Sequence, residues 1–229
     1  MQYVLNLYDI IDRLRAAHPK LEIESCSGGG GRVDLGILKR VDEVWTSDNT
    51  EALDRLKIQE GFSQAYAAKF MSAWVTDVPN QNGRSTPLQF RFLVAMQGAL
   101  GIGSNLNHFS DADTALATRI VALYKQIRDT VQMGDLYRLL SPRTSDVTAN
   151  EYVAADEKQA VLFAFRHSQQ YNTPPPTLYL RGLDERAVYK VTNLDGGASE
   201  QSGAYLMRHG IDLNLRGDYD STVVVLERQ

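Results

Sequence analysis

Residues 43–61 read EVWTSDNTEALDRLKIQEG. The first five have the β-branched and aromatic character of a short strand, and the last eleven have the composition of a surface helix. Asp48 stands between the two. Asp is a preferred N-cap, and Glu51 three places on completes a capping-box-like spacing. A carboxylate just after a strand is also where a β/α enzyme keeps its catalytic groups. Residues 43–61 alone favour the cap, and deciding between the readings depends on what the rest of the chain places around that strand end.

Working outward, the same strand-then-helix unit recurs. Residues 3–17 open the chain as a helix, with Val4, Leu7, Ile11 and Leu14 on one face and His18-Pro19 at its end. LEIESC then precedes a short helical segment in VDLGILKR. AKFMSAWVTDV precedes the apolar helix LQFRFLVAMQGAL, and GIGSNL precedes the long helix DADTALATRIVALYKQIRDTV. Four consecutive units imply a parallel sheet with right-handed crossovers, either doubly wound or half of a β/α barrel. Around Gly134 the texture changes. EYVAAD, QAVLFAFRHS, TLYLRGL, AVYKVTNL, GAYLMRHGIDLNL and STVVVLERQ, separated by Pro, Gly and Asn-Asp punctuation, read as strands of an antiparallel β-sandwich. The chain therefore divides into 1–134 and 135–229.

The 229 residues are 43% hydrophobic, enough for a substantial core, and the net charge of −4 comes without a basic run, so nucleic acid is disfavoured as a partner. No apolar run reaches the roughly 18–20 residues of a membrane span, and no basic-then-apolar leader opens the chain. These features imply a cytoplasmic protein. Cys26 is the single cysteine, and His18, His108, His167 and His209 are scattered, so neither a disulfide nor a metal site is expected.

SGGGGRVDLG, residues 27–36, occupies the place of a phosphate loop but lacks its chemistry, because Gly36 is followed by Ile37 and Leu38 rather than Lys and Ser or Thr. Four consecutive glycines are entropically expensive in a mere turn, and they let a small polar ligand approach backbone N–H groups. Trp74, Asp77 and Asn80 offer an aromatic face beside polar groups, as sugar sites do, although Trp74 also suits a core. Asp111 and Asp113 at the head of the long helix are explained by capping. Three successive strands end in polar or glycine-rich groups, which is the active-site rim of a β/α barrel.

ESCSGGGGRVDLG (24–36), WTSDNTEALDRLKIQ (45–59), VPN (78–80) and LGIGSNL (100–106) resemble glycoside hydrolase family 36, the retaining α-galactosidases, over essentially the whole chain. The resemblance implies the second half of a (β/α)8 barrel followed by a C-terminal antiparallel β-sandwich domain. It makes Asp48 the catalytic acid/base, Cys26 and Gly29 contacts to galactose, and Arg32 and Trp45 further substrate-binding residues. It implies no cofactor, a terminal α-linked galactoside of the melibiose or raffinose type as substrate, and a homo-oligomer at full length. The family nucleophile is an Asp in a KWDMN motif that this sequence does not contain. Retention needs two carboxyls roughly 5–5.5 Å apart, one protonating the departing oxygen and the other forming the glycosyl-enzyme. The chain alone is therefore expected to be inactive. Two alternatives stand beside this reading: a galactosyltransferase of the raffinose or stachyose synthase kind, and a non-catalytic galactose-binding or assembly module.

Overall fold

The computed structural model describes residues 1–229. It opens with α1 (Gln2–Ala17), followed by four strands in a parallel sheet: β1 (Glu24–Ser25), β2 (Glu43–Trp45), β3 (Met71–Val75) and β4 (Ala99–Ile102). Between them run α2 (Leu35–Leu38), α3 (Ala52–Ser63) and α4 (Leu88–Ala95), and α5 (Asp111–Met133) closes the set. The strand order is β1-β2-β3-β4, with no reversal. A doubly wound sheet reverses direction at a switch point, whereas a barrel adds strands in sequence, so the order selects the half-barrel. Because all four strands are parallel, their C-terminal ends share one rim.

One boundary in this unit differs from the sequence reading. β4 begins at Ala99, two residues before GIGSNL, because α4 stops at Ala95 and Gly98 lies hard against β3, where a Cβ would sit 2.3 Å from the Met71 carbonyl oxygen. Tyr124 of α5 then fixes the turn, donating to the Gly98 carbonyl at 2.5 Å and accepting from Leu100 N at 3.2 Å. The apolar face expected on α1 is only partly covered: Ile11 is buried, whereas Val4 and Leu14 are exposed. α5 matches its expected span and begins at a capping box between Ser110 and Asp113.

The second unit is a six-stranded antiparallel sheet in the order β5-β6-β7-β10-β8-β9, formed by β5 (Asp135–Leu140), β6 (Val147–Val153), β7 (Gln159–Arg166), β8 (Val188–Asn193), β9 (Ala198–Ser202) and β10 (Ser221–Arg228). One face packs on the half-barrel: Tyr152, Phe163, Phe165 and Val223 share a core with Phe90, Phe92 and Ile120. The other face buries Ala149, Leu162, Val224 and Leu226 against a layer carrying Leu178, Leu180, Leu206 and Leu215. That layer corrects two expected strands. TLYLRGL is extended, with Leu178 and Leu180 inward, but joins only one bridge, Leu178 to Ile211; the Arg181 N–H goes to the Glu151 carboxylate at 2.7 Å instead of to a ladder. GAYLMRHGIDLNL begins as α6 (Gly203–Arg208), capped by the Ser202 hydroxyl accepting from Tyr205 N and stopped at Gly210, whose φ is +78°. β5 and β9 are strands that alternation did not reveal. No helix is long and apolar enough to cross a membrane.

Candidate active site

Asp48 is not the cap of α3. α3 is capped by Glu51, whose carboxylate accepts from Leu53 N at 3.0 Å and Asp54 N at 2.9 Å. Asn49 prepares that cap by accepting from Glu51 N at 3.0 Å. Asp48 thus stands outside the helix, where its Oδ1 accepts from the Trp45 indole Nε1–H at 3.0 Å. Trp45 is almost fully buried at the last position of β2, so the strand end aims the carboxylate through a side chain that cannot swing away.

The glycine loop leaves β1 and crosses the same rim. Gly29 has φ +77°, and a Cβ there would meet Asp48 N at 3.0 Å and Ser47 Cα at 3.1 Å. At Gly30 a Cβ would lie 2.5 Å from the Thr46 carbonyl oxygen. The glycines therefore allow two backbones to touch beside Asp48, a requirement additional to any ligand approach. Arg32 closes the loop, its Nη1 donating to the Cys26 carbonyl at 3.1 Å, and the Cys26 thiol is exposed. Of the five residues singled out by sequence, Trp45 and Gly29 each adjoin Asp48, and Cys26 and Arg32 are joined across the neighbouring loop.

Trp74 is half exposed, with its ring centroid 4.6 Å from that of Trp45. It lies over Gly101 and Gly103, where a Cβ would meet the indole at 2.4 and 3.0 Å, so these glycines accommodate a flat aromatic at the rim. Asp77 and Asn80 hold loops instead: the Asp77 carboxylate accepts from Asn105 N, and Asn80 Nδ2 donates to Thr76 Oγ1 at 3.2 Å. Between the β2–α3 and β3–α4 loops lies a cleft of about 360 Å³, lined by Asp48, Asn49, Thr50, Glu51, Asn80, Gln81 and Asn82 without one apolar side chain. Its far wall is fastened by Arg84, which forms an ion pair with buried Glu51 and reaches Asp54 at 3.4 Å.

Several of these residues escaped sequence reading. Glu51 looked like the distal half of a capping box and is the cap itself. Arg84 lies outside every motif, and Arg55, although inside the 45–59 stretch, looked like an ordinary charge on a surface helix. Arg55 is 2% exposed, and burial pulls its guanidinium down to about 10.

Residues 1–134 match the Melibiase family profile, and residues 147–226 match that of the glycosyl hydrolase family 36 C-terminal domain. The chain belongs to glycoside hydrolase family 36. Its architecture is accordingly the second half of a (β/α)8 barrel followed by a C-terminal β-sandwich domain. This family 36 chain is 40% identical over 229 residues to probable alpha-galactosidase G of Aspergillus terreus, covering 99% of this chain and 31% of that protein. It is equally similar to alpha-galactosidase 2 of Hypocrea jecorina, at 40% identity over 99% of this chain and 30% of the relative. The crystal structure of alpha-galactosidase AgaA from Geobacillus stearothermophilus superposes with a TM-score of 0.94 at 38% identity, covering 99% of this chain and 31% of that one. A variant of AgaA has been crystallised in complex with raffinose. The family 36 chain thus spans about a third of the length of the relatives it matches.

Proposed function

We propose that this chain carries the acid/base side of a retaining α-galactosidase that hydrolyses terminal α-linked galactose, with residues 1–134 as the C-terminal half of the catalytic barrel and 135–229 as its supporting β domain. The observation that carries the reading is the freedom of Asp48: Glu51 caps α3, and Asp48 projects from the rim with a hydrogen bond from Trp45 and a polar cleft beside it. The raffinose complex of AgaA, 38% identical to this chain, supports the substrate class.

In the first step the Asp48 carboxylic acid gives its proton to the departing glycosidic oxygen while a carboxylate from the other half of the barrel bonds to C1 from the opposite face. The C1–O bond breaks and a glycosyl-enzyme forms. In the second step Asp48, now ionised, takes a proton from water as the water oxygen displaces that carboxylate from C1. Galactose leaves with its α configuration retained. The Trp45 indole donates to one Asp48 oxygen, which leaves the other to carry the proton. The cleft suits a hydroxylated leaving group, and the exposed Cys26 thiol and the backbone at Gly29 are the proposed galactose contacts.

The test is a graft in which this chain replaces the matching third of AgaA. Release of galactose from melibiose and raffinose, with the α anomer formed first by NMR, is the expected result. A folded graft that binds galactose but turns over neither sugar would refute the activity.

A further inference from the structure

The hydrogen-bonded register between β2 and β3 ends at Trp45 opposite Ser72. Beyond it no ladder holds residues 46–48, the segment that ends in Asp48. The buried Arg55 lies where the ladder stops. Its Nη1 donates to the Ser47 carbonyl at 3.2 Å and its Nη2 to the Ser72 carbonyl at 2.7 Å, so one planar group ties the extension of β2 to β3. Its Cζ also lies 5.2 Å from the Trp45 ring centroid, the ring that donates to Asp48. Nε points to Gln59 Oε1 at 3.4 Å, and Gln59 in turn donates to the Val94 carbonyl at 3.0 Å.

A guanidinium without a carboxylate partner is costly to bury, and an apolar side chain would fill the same space at lower cost. We infer that Arg55 is a positioning residue for Asp48, holding it by the preceding carbonyl and through the indole that hydrogen-bonds its carboxylate. The fork is the property needed: Lys keeps the charge but cannot bridge two carbonyls in one plane. The tether stands on this geometry alone, whereas its catalytic meaning rests on Asp48 being the acid/base.

The chain has two tryptophans, so its ¹⁵N-indole spectrum contains two Nε1–H signals, and Trp45→Phe identifies the Trp45 one. In the wild-type chain that proton should exchange slowly, and the Arg55 side chain should give nuclear Overhauser effects to the Trp45 ring. In Arg55→Lys the Trp45 indole should exchange faster by about tenfold and shift, with cooperative thermal unfolding preserved. Unchanged protection in folded Arg55→Lys and Arg55→Met chains would reduce Arg55 to a pin for the fold and overturn the inference. Should both variants unfold, wild-type spectra lacking the Arg55–Trp45 effects would overturn it equally, and their presence would support it. In the AgaA graft, Arg55→Lys should lose about tenfold more kcat on raffinose than on nitrophenyl α-galactoside. A loosened indole with equal losses on the two substrates would keep the tether and remove Asp48 from the acid/base role.

Discussion

Asp48 and Glu51 both look like cap residues in the sequence, and the division of labour between them rests on backbone placement that no spacing rule reports. Gly29 belongs to the same arrangement. Its sequence role was room for a sugar, but the structure sets the Asp48 and Ser47 backbone against it. Gly28 and Gly29 both have positive φ, so replacement by Ala strains the chain similarly at each, yet a Cβ at Gly28 meets nothing within 4 Å. Gly29→Ala should therefore cost roughly 1 kcal/mol more than Gly28→Ala in denaturant unfolding and should cut turnover of the graft further. Equal costs would show that the contact with Asp48 is slack. Glu151 is a second residue that alternation could not flag, a carboxylate buried between the sandwich layers with only Arg181 N bound to it. Burial lifts it to about 8 from an ordinary 4.5, opposed by the hydrogen bond and charge of Arg181. The folded chain thus keeps a proton that the unfolded chain loses from about pH 4.5 upward. Stability from this group is complete below that pH and declines as pH rises through 8. Glu151→Gln should flatten the decline of urea stability between about pH 5 and 8, and an unchanged slope would remove Glu151 as its source.

At the scale of elements, legibility followed where the hydrogen bonds and apolar faces lay. α5 was readable to within two residues because its capping box and long apolar stripe are local properties. The segment 177–183 alternates like a strand because it buries Leu178 and Leu180, but alternation shows burial and not which group takes each N–H, and Glu151 takes the one at Arg181. α6 is too short for a helical period to declare itself. α4 was readable as apolar, and the structure explains why it is apolar on nearly every side: it lies between β3 and the antiparallel sheet, where Phe90 meets Phe165 at 5.4 Å and Tyr219 at 6.0 Å. Polar ties reinforce the junction, among them Arg143 Nε to Glu60 at 2.8 Å and Gln89 to the Ser221 carbonyl at 2.7 Å. Phe90→Ala should destabilise the chain by about 3–5 kcal/mol and keep a single unfolding transition seen by probes in both units. Two separable transitions would contradict a shared core. Deletion of residues 135–229 should expose Phe90 and Phe92 and drive aggregation; a soluble, active graft without them would argue that the β domain is dispensable.

For the whole molecule, four parallel strands in unbroken order leave β1 and β4 without partners on their outer sides. Sequence reading reached the class of architecture from repeated units, and the residues expected at the rim from motif resemblance, but it could not show that Arg55 and Arg84 secure the loops, because Arg84 lies outside every motif and Arg55, inside one, reads as a surface-helix charge. The purified chain should release no galactose from raffinose or nitrophenyl α-galactoside, since double displacement needs a second carboxylate opposite Asp48. Turnover that disappears in the Asp48→Ala chain would mean that another carboxylate, Asp77 first, serves as nucleophile. The most direct test of Asp48 as acid/base uses the AgaA graft carrying Asp48→Asn, assayed with raffinose and with nitrophenyl α-galactoside, with and without azide. Raffinose cleavage should disappear, nitrophenol release should persist as a burst, and azide should restore turnover by attacking the glycosyl-enzyme from the vacated face to give α-galactosyl azide. Equal loss on both substrates, with the fold intact and no azide product, would contradict the assignment.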